Sequence, residues 1–595
     1  MMSPRLDART TAKVHCMKLA LGCAASVMAL TFSAPSQAAD IQLDPGTKYQ
    51  TMLGWETMLR GWEVNKIANN YDPTWLEQAP IVLDRLVNEL GINRVRLEFR
   101  SGYENPVNYY TQFLNGEISY TTMKEHWYEK INDNDDPNVV NAPGFQFAEF
   151  DYLVENELLP LKALVEANGE QLYVNLCHVD FNWQALHGNF ELALNPDEYA
   201  ELTQVFFEHL RDKYGVIPDG LEIILEPENT DAWRGTQIGQ AIVAVTSRLS
   251  AAGFNPEIAA PSTAFAPDTL PYFSDILAVP GAVEAMTTLS YHRYTPGDYA
   301  AIFSAADSHG LVTGMLENTD GDADNLFEDL TTGNISNWQK FGIAVTSASN
   351  DIAYYRADFS DPANPVIALG PDATLLLPYM RFVRRGASRI DAQSNDPAYR
   401  PLAFINANEG YVVVVKASST GTVDVSGLPD GTYGVKIATV SGGVSDGADV
   451  TPTSGMVSLS VPIGVTAIYD KRALEGAAGS GGSGGSGGNA APGGSTGSGG
   501  TFGGAVSTGG AISASGGIGF AGAGGTPSSG GAPGGSPAMS SKQESGCGCR
   551  TPATPTSGAG ALFTALACAV TAVSRWRRRR STLHASCSAP ATPRC

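Results

Sequence analysis

A short apolar run, Leu221-Glu222-Ile223-Ile224-Leu225, stops abruptly at Glu226-Pro227-Glu228-Asn229. This is the pattern of a buried parallel strand that delivers an acid to the rim of a sheet. The segment before it is helical in pattern. Asn195 is placed to cap, Pro196 suits a first turn, and Tyr199, Leu202, Val205, Phe206 and Leu210 share one face. Helix, turn at Pro218-Asp219-Gly220 and strand form one unit of an α/β fold. The same form returns at Leu311-Val312-Thr313-Gly314-Met315-Leu316-Glu317-Asn318. Strands are expected near 51–55, 92–99, 171–177, 221–226, 257–261, 287–292, 311–317 and 335–343. Eight such units close a (β/α)8 TIM barrel, whose reactive groups sit at the C-terminal ends of the strands. From about Asp391 the pattern turns to short alternating strands with Gly turns, at 411–415, 422–425, 433–438 and 457–461, which reads as a C-terminal β-sandwich.

Two carboxylates on separate strand ends are the minimum equipment for cleaving a glycosidic bond, one as proton donor and one as nucleophile or base. Between Glu226 and Glu317 lies Ser290-Tyr291-His292-Arg293-Tyr294, whose His292 and Tyr294 can orient a carboxylate. Earlier, Arg94-Val95-Arg96-Leu97-Glu98-Phe99 offers Arg96 to hold one ionised. These residues, in this order, resemble clan A of the retaining glycoside hydrolases. Gln50-Thr51-Met52-Leu53-Gly54-Trp55, the stretch from Asn325 to Trp338, and Tyr379 to Ile390 narrow the resemblance to glycoside hydrolase family 30, over roughly residues 40 to 471. The resemblance implies that Glu226 is the acid/base and Glu317 the nucleophile of a retaining β-glycosidase. It also implies that Ile41-Gln42-Leu43 joins the sandwich. One position departs: the clan carries Asn before the acid/base, and here that place holds Leu225. Asn175, His178 and Asn229 are the candidates to supply the missing donor. A carbohydrate-binding surface protein on the same barrel, without turnover, is the competing reading.

Other polar and aromatic residues fit a sugar site. His178-Val179-Asp180-Phe181-Asn182-Trp183 follows the third barrel strand, and His178 and Asp180 are expected to bind substrate. Trp55, at a strand end, is expected to stack on a sugar, whereas Trp183 divides evenly between platform and core. Glu56 and Glu98 are expected in structural or subsite roles, and Glu228 could exchange roles with Glu226. No third ligand accompanies His178 and Asp180, so no metal and no cofactor is expected. The longest insertion, Arg100 to about Phe147, is rich in Tyr, Asn and Asp and falls on the catalytic side, where long loops shape subsites.

The two ends differ from the middle. Residues 1–38 carry Lys13 and Lys18, an apolar run from Leu19 to Phe32 and Ser36-Gln37-Ala38, a secretory signal with a small-residue cleavage site. Residues 39–50 then contribute a strand to the sandwich, 51–390 form the barrel and 391–473 the sandwich. Residues 474–546, almost entirely Gly, Ser, Ala, Thr and Pro, are expected to be a disordered linker. Residues 547–595 hold Cys547-Gly548-Cys549, an apolar segment from Ala559 to Val573 and the cluster Arg577–Arg580. That tail resembles MYXO-CTERM sorting tails, which implies an exported, surface-associated protein touching the membrane only there. Of eight cysteines only Cys177 falls in the folded region, so no disulfide is expected within it. The formal net charge is −23, and both ends are basic, which concentrates the acidity in the middle. Such a domain is repelled by nucleic acid and by polyanionic polymers. A neutral carbohydrate partner and a monomeric state are the expectation.

Overall fold

The computed structural model describes residues 38–63, 74–346, 352–361 and 363–474. The signal, linker and tail expected from sequence lie outside the described residues. The chain opens with β1 (Ala39–Thr51) and then enters eight parallel strands. These are β2 (Gly54–Met58), β3 (Arg94–Arg100), β4 (Tyr173–Val179), β5 (Gly220–Glu222), β6 (Glu257–Thr263), β7 (Thr288–His292), β8 (Val312–Glu317) and β9 (Ile335–Val345). They pair in chain order, and β9 pairs with both β8 and β2, which closes the barrel. Two further strands, β10 (Ala353–Asp358) and β11 (Val366–Leu369), extend the sheet outward from β9.

Helices cover the barrel through the apolar faces visible in the sequence. On the helix Pro196–Tyr214, Tyr199, Leu202, Val205, Phe206 and Leu210 are buried. Asn195 stands at its cap position, but its amide turns back to the Glu191 carbonyl at 2.8 Å and does not cap the helix. The long insertion after β3 is built of short pieces, including the helices Tyr109–Leu114 and Tyr120–Glu125.

A second sheet follows: β12 (Ser388–Ser394), β13 (Tyr399–Ile405), β14 (Tyr411–Ala417), β15 (Gly421–Ser426), β16 (Tyr433–Thr439), β17 (Gly443–Asp446), β18 (Met456–Val461) and β19 (Gly464–Asp470). With β1 it forms nine strands in the order β17-β16-β19-β14-β13-β12-β1-β15-β18. The first strand thus lies between β12 and β15 in the middle of a sheet made otherwise from the chain's later part. The twofold alternation of strand side chains gives this sheet two cores. Val412 and Val414 of β14 pack with the barrel cluster, while Val413 and Val415 pack with Ile41, Val423, Val425 and Ile468. One face therefore rests on the barrel, and the other is buried by the curl of the sheet itself.

The joint between barrel and sheet is polar as well as apolar. Arg384 holds Glu170 through two bonds, Nε to Oε1 at 2.7 Å and Nη2 to Oε2 at 2.9 Å, and its Nη1 donates to the carbonyls of Gly91 and Met380 at 2.8 Å. Gly91 ends a helix with φ +94°, and a Cβ there would stand 2.4 Å from Arg384 Nη1 and 2.5 Å from the Met380 oxygen. Both the backbone conformation and the space demand glycine. Gly91→Ala is expected to lower the thermal midpoint more than Arg384→Ala does, the latter costing about 3 kcal/mol for stranding a half-buried carboxylate. A Gly91→Ala protein that melts with the wild type would refute this account of the joint.

Candidate functional site

Alternation along the strands decides which groups meet inside the barrel. Arg94, Arg96 and Glu98 of β3 register with Tyr173, Asn175 and Cys177 of β4. Arg94 Nε donates to Glu56 Oε2 at 2.9 Å, and Asn175 Nδ2 donates to Glu222 Oε2 at 3.0 Å and to Glu56 Oε1 at 3.3 Å. Arg94, Glu56, Asn175 and Glu222 thus form a connected polar column inside the barrel. Above it stands the C-terminal rim.

At that rim β8 ends on Glu317, and the register with β7 sets His292 opposite it. Arg96 Nη2 donates to Glu317 Oε2, and the Tyr294 hydroxyl donates to Oε1. Tyr294 is 38% exposed, so its ring forms part of the open cleft surface while its hydroxyl reaches inward. Glu226 arrives from the other side. Past the regular part of β5, the chain keeps bonding to its neighbours: Leu225 N–H donates to His178 O at 2.9 Å and Glu226 N–H to Ser262 O at 3.0 Å. Glu226 and Ser262 both adopt positive φ, 47° and 52°. Such a conformation costs a non-glycine residue on the order of 1–3 kcal/mol. It turns the Glu226 carboxyl into the cleft, where Oε1 lies 3.0 Å from His292 Nδ1 and Oε2 accepts from Asn229 Nδ2 at 2.7 Å. One oxygen of Glu226, one of Glu317 and a ring nitrogen of His292 all lie within 4.8 Å of one another.

The structure brings Glu226, Glu317, Arg96, His292 and Tyr294 together, and it divides the work between the last two. Tyr294 holds Glu317, while His292 holds Glu226. The Glu228 carboxylate accepts backbone N–H groups of Ala264 at 3.0 Å and Phe265 at 3.5 Å, a different environment from that of Glu226. Trp55 does not reach the carboxylates. It is fully buried on the opposite side of β2 from Glu56, and its Nε1 donates to Val383 O at 2.7 Å. His178 likewise alternates with Asn175 and Cys177 and faces the helices, among Phe99, Tyr199 and Trp233 with ring centroids 5.1–5.8 Å apart. Asp180 is buried and bound by Ser101 Oγ at 2.7 Å, Lys130 Nζ at 2.9 Å and Trp233 Nε1 at 3.2 Å. His178 and Asp180 therefore build the wall rather than line the cleft. Trp183 is 62% exposed and stacks on Phe181 at 4.1 Å, so the accessible aromatic face belongs to it and not to Trp55. Of the three candidates to replace the donor absent at Leu225, Asn229 is the one bonded to Glu226. Its place two residues beyond Pro227 was the available signal.

Solved structures of low sequence identity share this architecture. The catalytic domain of glycoside hydrolase family 30 xylanase C from Talaromyces cellulolyticus aligns over 72% of this chain and 99% of its own, at 15% identity and a TM-score of 0.53. The likeness is one of fold. A conserved exported protein from Bacteroides fragilis aligns over 72% of this chain and 99% of its own, at 11% identity and a TM-score of 0.50. An endo-β1,6-glucanase aligns over 73% and 95%, at 14% identity and a TM-score of 0.50. No family model and no curated protein matches the sequence.

Charge is arranged around the two carboxylates. Burial opposes ionisation of Glu317, but Arg96, then His292 and the Tyr294 hydroxyl outweigh it and hold the carboxyl below its usual range. Burial pushes His292 down, yet Glu222, Glu226 and Glu317 raise it to about 9. With Arg96 and a protonated His292 already present, the cluster is supplied with positive charge and is a poor host for a metal ion. His292 binds its proton more tightly in the folded chain than at its ordinary value of 6.5. Its contribution to stability is therefore complete below about 6.5 and is lost as pH rises through about 9. The thermal midpoint is expected to fall across that interval, and His292→Gln is expected to flatten the fall. An equally steep fall in the variant would show that another group is responsible.

Proposed function

We propose that the chain is a retaining β-glycosidase acting on a neutral polysaccharide, oligosaccharide or glycoconjugate. The observation that carries this reading is the carboxyl pair. An oxygen of Glu226 and an oxygen of Glu317 come within 4.8 Å of each other at the rim of a barrel. Carboxyl groups about 5–5.5 Å apart suit double displacement, whereas inversion needs about 6.5–9.5 Å to admit a water. Glu317, kept ionised by Arg96 and oriented by Tyr294, attacks the anomeric carbon. Glu226 protonates the departing oxygen and then takes a proton from the water that releases the sugar. His292 and Asn229 fix the Glu226 carboxyl for both steps. Leu225 is 3% exposed and offers no donor, and Asn229, whose Nδ2 donates to Glu226 Oε2 at 2.7 Å, is our candidate to bond the sugar 2-hydroxyl in its stead. The fold shared with a family 30 xylanase and an endo-β1,6-glucanase supports the class of reaction, and the acidity of the chain supports an uncharged substrate. Export is part of the reading, carried by the apolar run Leu19–Phe32 and the Arg-rich tail.

The test is turnover of aryl-β-glycosides and neutral polysaccharides with product stereochemistry followed by NMR. The first product is expected to retain the β configuration, and Glu317→Gln is expected to fall to background. Glu226→Gln is expected to lose about 10²–10⁴-fold on substrates with poor leaving groups and little in the first step on activated ones. Asn229→Ala is expected to lose about a hundredfold in kcat/KM, the scale of one lost transition-state hydrogen bond. Inverted product would overturn the mechanism. The reading as a binder without turnover rests on Leu225, and it would win if wild type is inert on every glycoside while Leu225→Asn gains activity.

A further inference from the structure

A second cluster of carboxylates lies outside the cleft chemistry, where the long insertion meets the first turns of the helix Pro196–Tyr214. Oxygens of Asp133, Glu198 and Glu201 lie within 4.8 Å of one another. Asp133 is held in place by its backbone N–H donating to Glu104 Oε1 at 3.1 Å, and its Oδ2 accepts the backbone N–H of Asn141 at 2.5 Å. Its Oδ1 is shut away from solvent with no hydrogen-bond partner, as is Glu198 Oε2. Glu201 is the sharper observation. It is 1% exposed, and neither of its oxygens has a donor among the described residues. Asn132, beside Glu198, adds a neutral amide oxygen that is also buried and without a partner, while its Nδ2 is engaged by Asn134 O. The neighbouring cation, Arg248, spends its guanidinium on Gln204 Oε1 and Pro137 O.

Buried oxygens of this kind are costly unless something positive meets them. In the barrel interior, by contrast, Arg94 meets Glu56 and Arg96 meets Glu317. Here five oxygens from three carboxylates and one amide point at no donor. We propose that Asp133, Glu198 and Glu201, with the Asn132 amide oxygen, bind one divalent cation of the calcium class. An all-oxygen set without Cys or His excludes the softer metals, and side chains on a loop and a helix give the adaptable shell that calcium takes, completed by water. Magnesium demands a tighter octahedron and fits less well. The role is structural. The ion clamps the insertion to the helix Pro196–Tyr214, and the same insertion sends Lys130 to Asp180 in the cleft wall at 2.9 Å. The proposal does not depend on the glycosidase reading.

The experiment uses the full chain, stripped with EDTA and dialysed, and follows thermal unfolding and calorimetry with CaCl2, MgCl2 and ionic-strength-matched NaCl. The expected result is one calcium per chain and a midpoint that climbs by several degrees and saturates with calcium, with magnesium weaker and NaCl inert. Glu201→Gln and Asp133→Asn are expected to abolish that climb. Glu201→Gln, which removes one of the crowded charges, is also expected to melt no lower than stripped wild type, which shows that the variant folds. Proteolysis within 131–141 is expected to slow when calcium is added. A wild type whose midpoint responds to CaCl2 no more than to NaCl would overturn the proposal, as would a calcium response that survives in both variants. The former result would mean that Glu198 and Glu201 share a proton instead of an ion.

Discussion

Arg96 is a guanidinium with no solvent exposure, and the active rim depends on it. A buried cation of that size is tolerated only among counter-charges, and the barrel supplies them from three strands. Glu317 receives its bond, Glu98 stands 3.5 Å away, and the charge of Glu222 reaches it through the interior. The dependence runs both ways. Without Arg96, Glu317 would be a buried carboxyl with only a tyrosine and a histidine to favour its charge, and burial would protonate it. The ionisation of Glu317 is therefore set by a residue one layer beneath the rim.

Much of the fold was legible because a parallel barrel writes itself as a simple pattern. Apolar runs ending in Glu marked the strands that carry Glu226 and Glu317, all eight expected strands are present, and the order Arg96, Glu226, His292, Tyr294, Glu317 carried the site. Two of the failures share one physical cause. Trp55 and His178 were read from residue type and closeness to a strand end, yet a strand sends alternate side chains to opposite sides. Glu56 and Asn175 look into the barrel, so Trp55 and His178 look out. Counting by twos from Arg96 and across its register would have placed both correctly. What the sequence did not contain was the pairing of non-adjacent segments. The seat of Glu226 needs Ser262, 36 residues away, to bind its N–H, and the Asp133 cluster needs an insertion folded back on a distant helix.

The positive φ of Glu226 and Ser262 shows where local preference yields. Ser262 supplies the carbonyl that binds the Glu226 N–H, so the two unfavourable conformations are held by one contact between neighbouring strands. Conformational strain of that sort persists only where surrounding structure over-determines it. It is found here at Glu226, beside Glu317, which ends an ordinary strand.

The placement of β1 has a consequence for how such a chain comes to be folded. Thr51 pairs with Ser388 and Ile41 with Ser394, so β1, the first of the described strands, has no partner until nearly the whole barrel has been synthesised. At about 5–20 residues per second the wait is on the order of 20–70 s. Through that interval β1 is an unpaired edge with apolar Ile41 and Leu43, and the second core is missing a wall. The domain is closed by a clasp between its beginning and its end, and a nascent chain cut short before β12 has no means of fastening it.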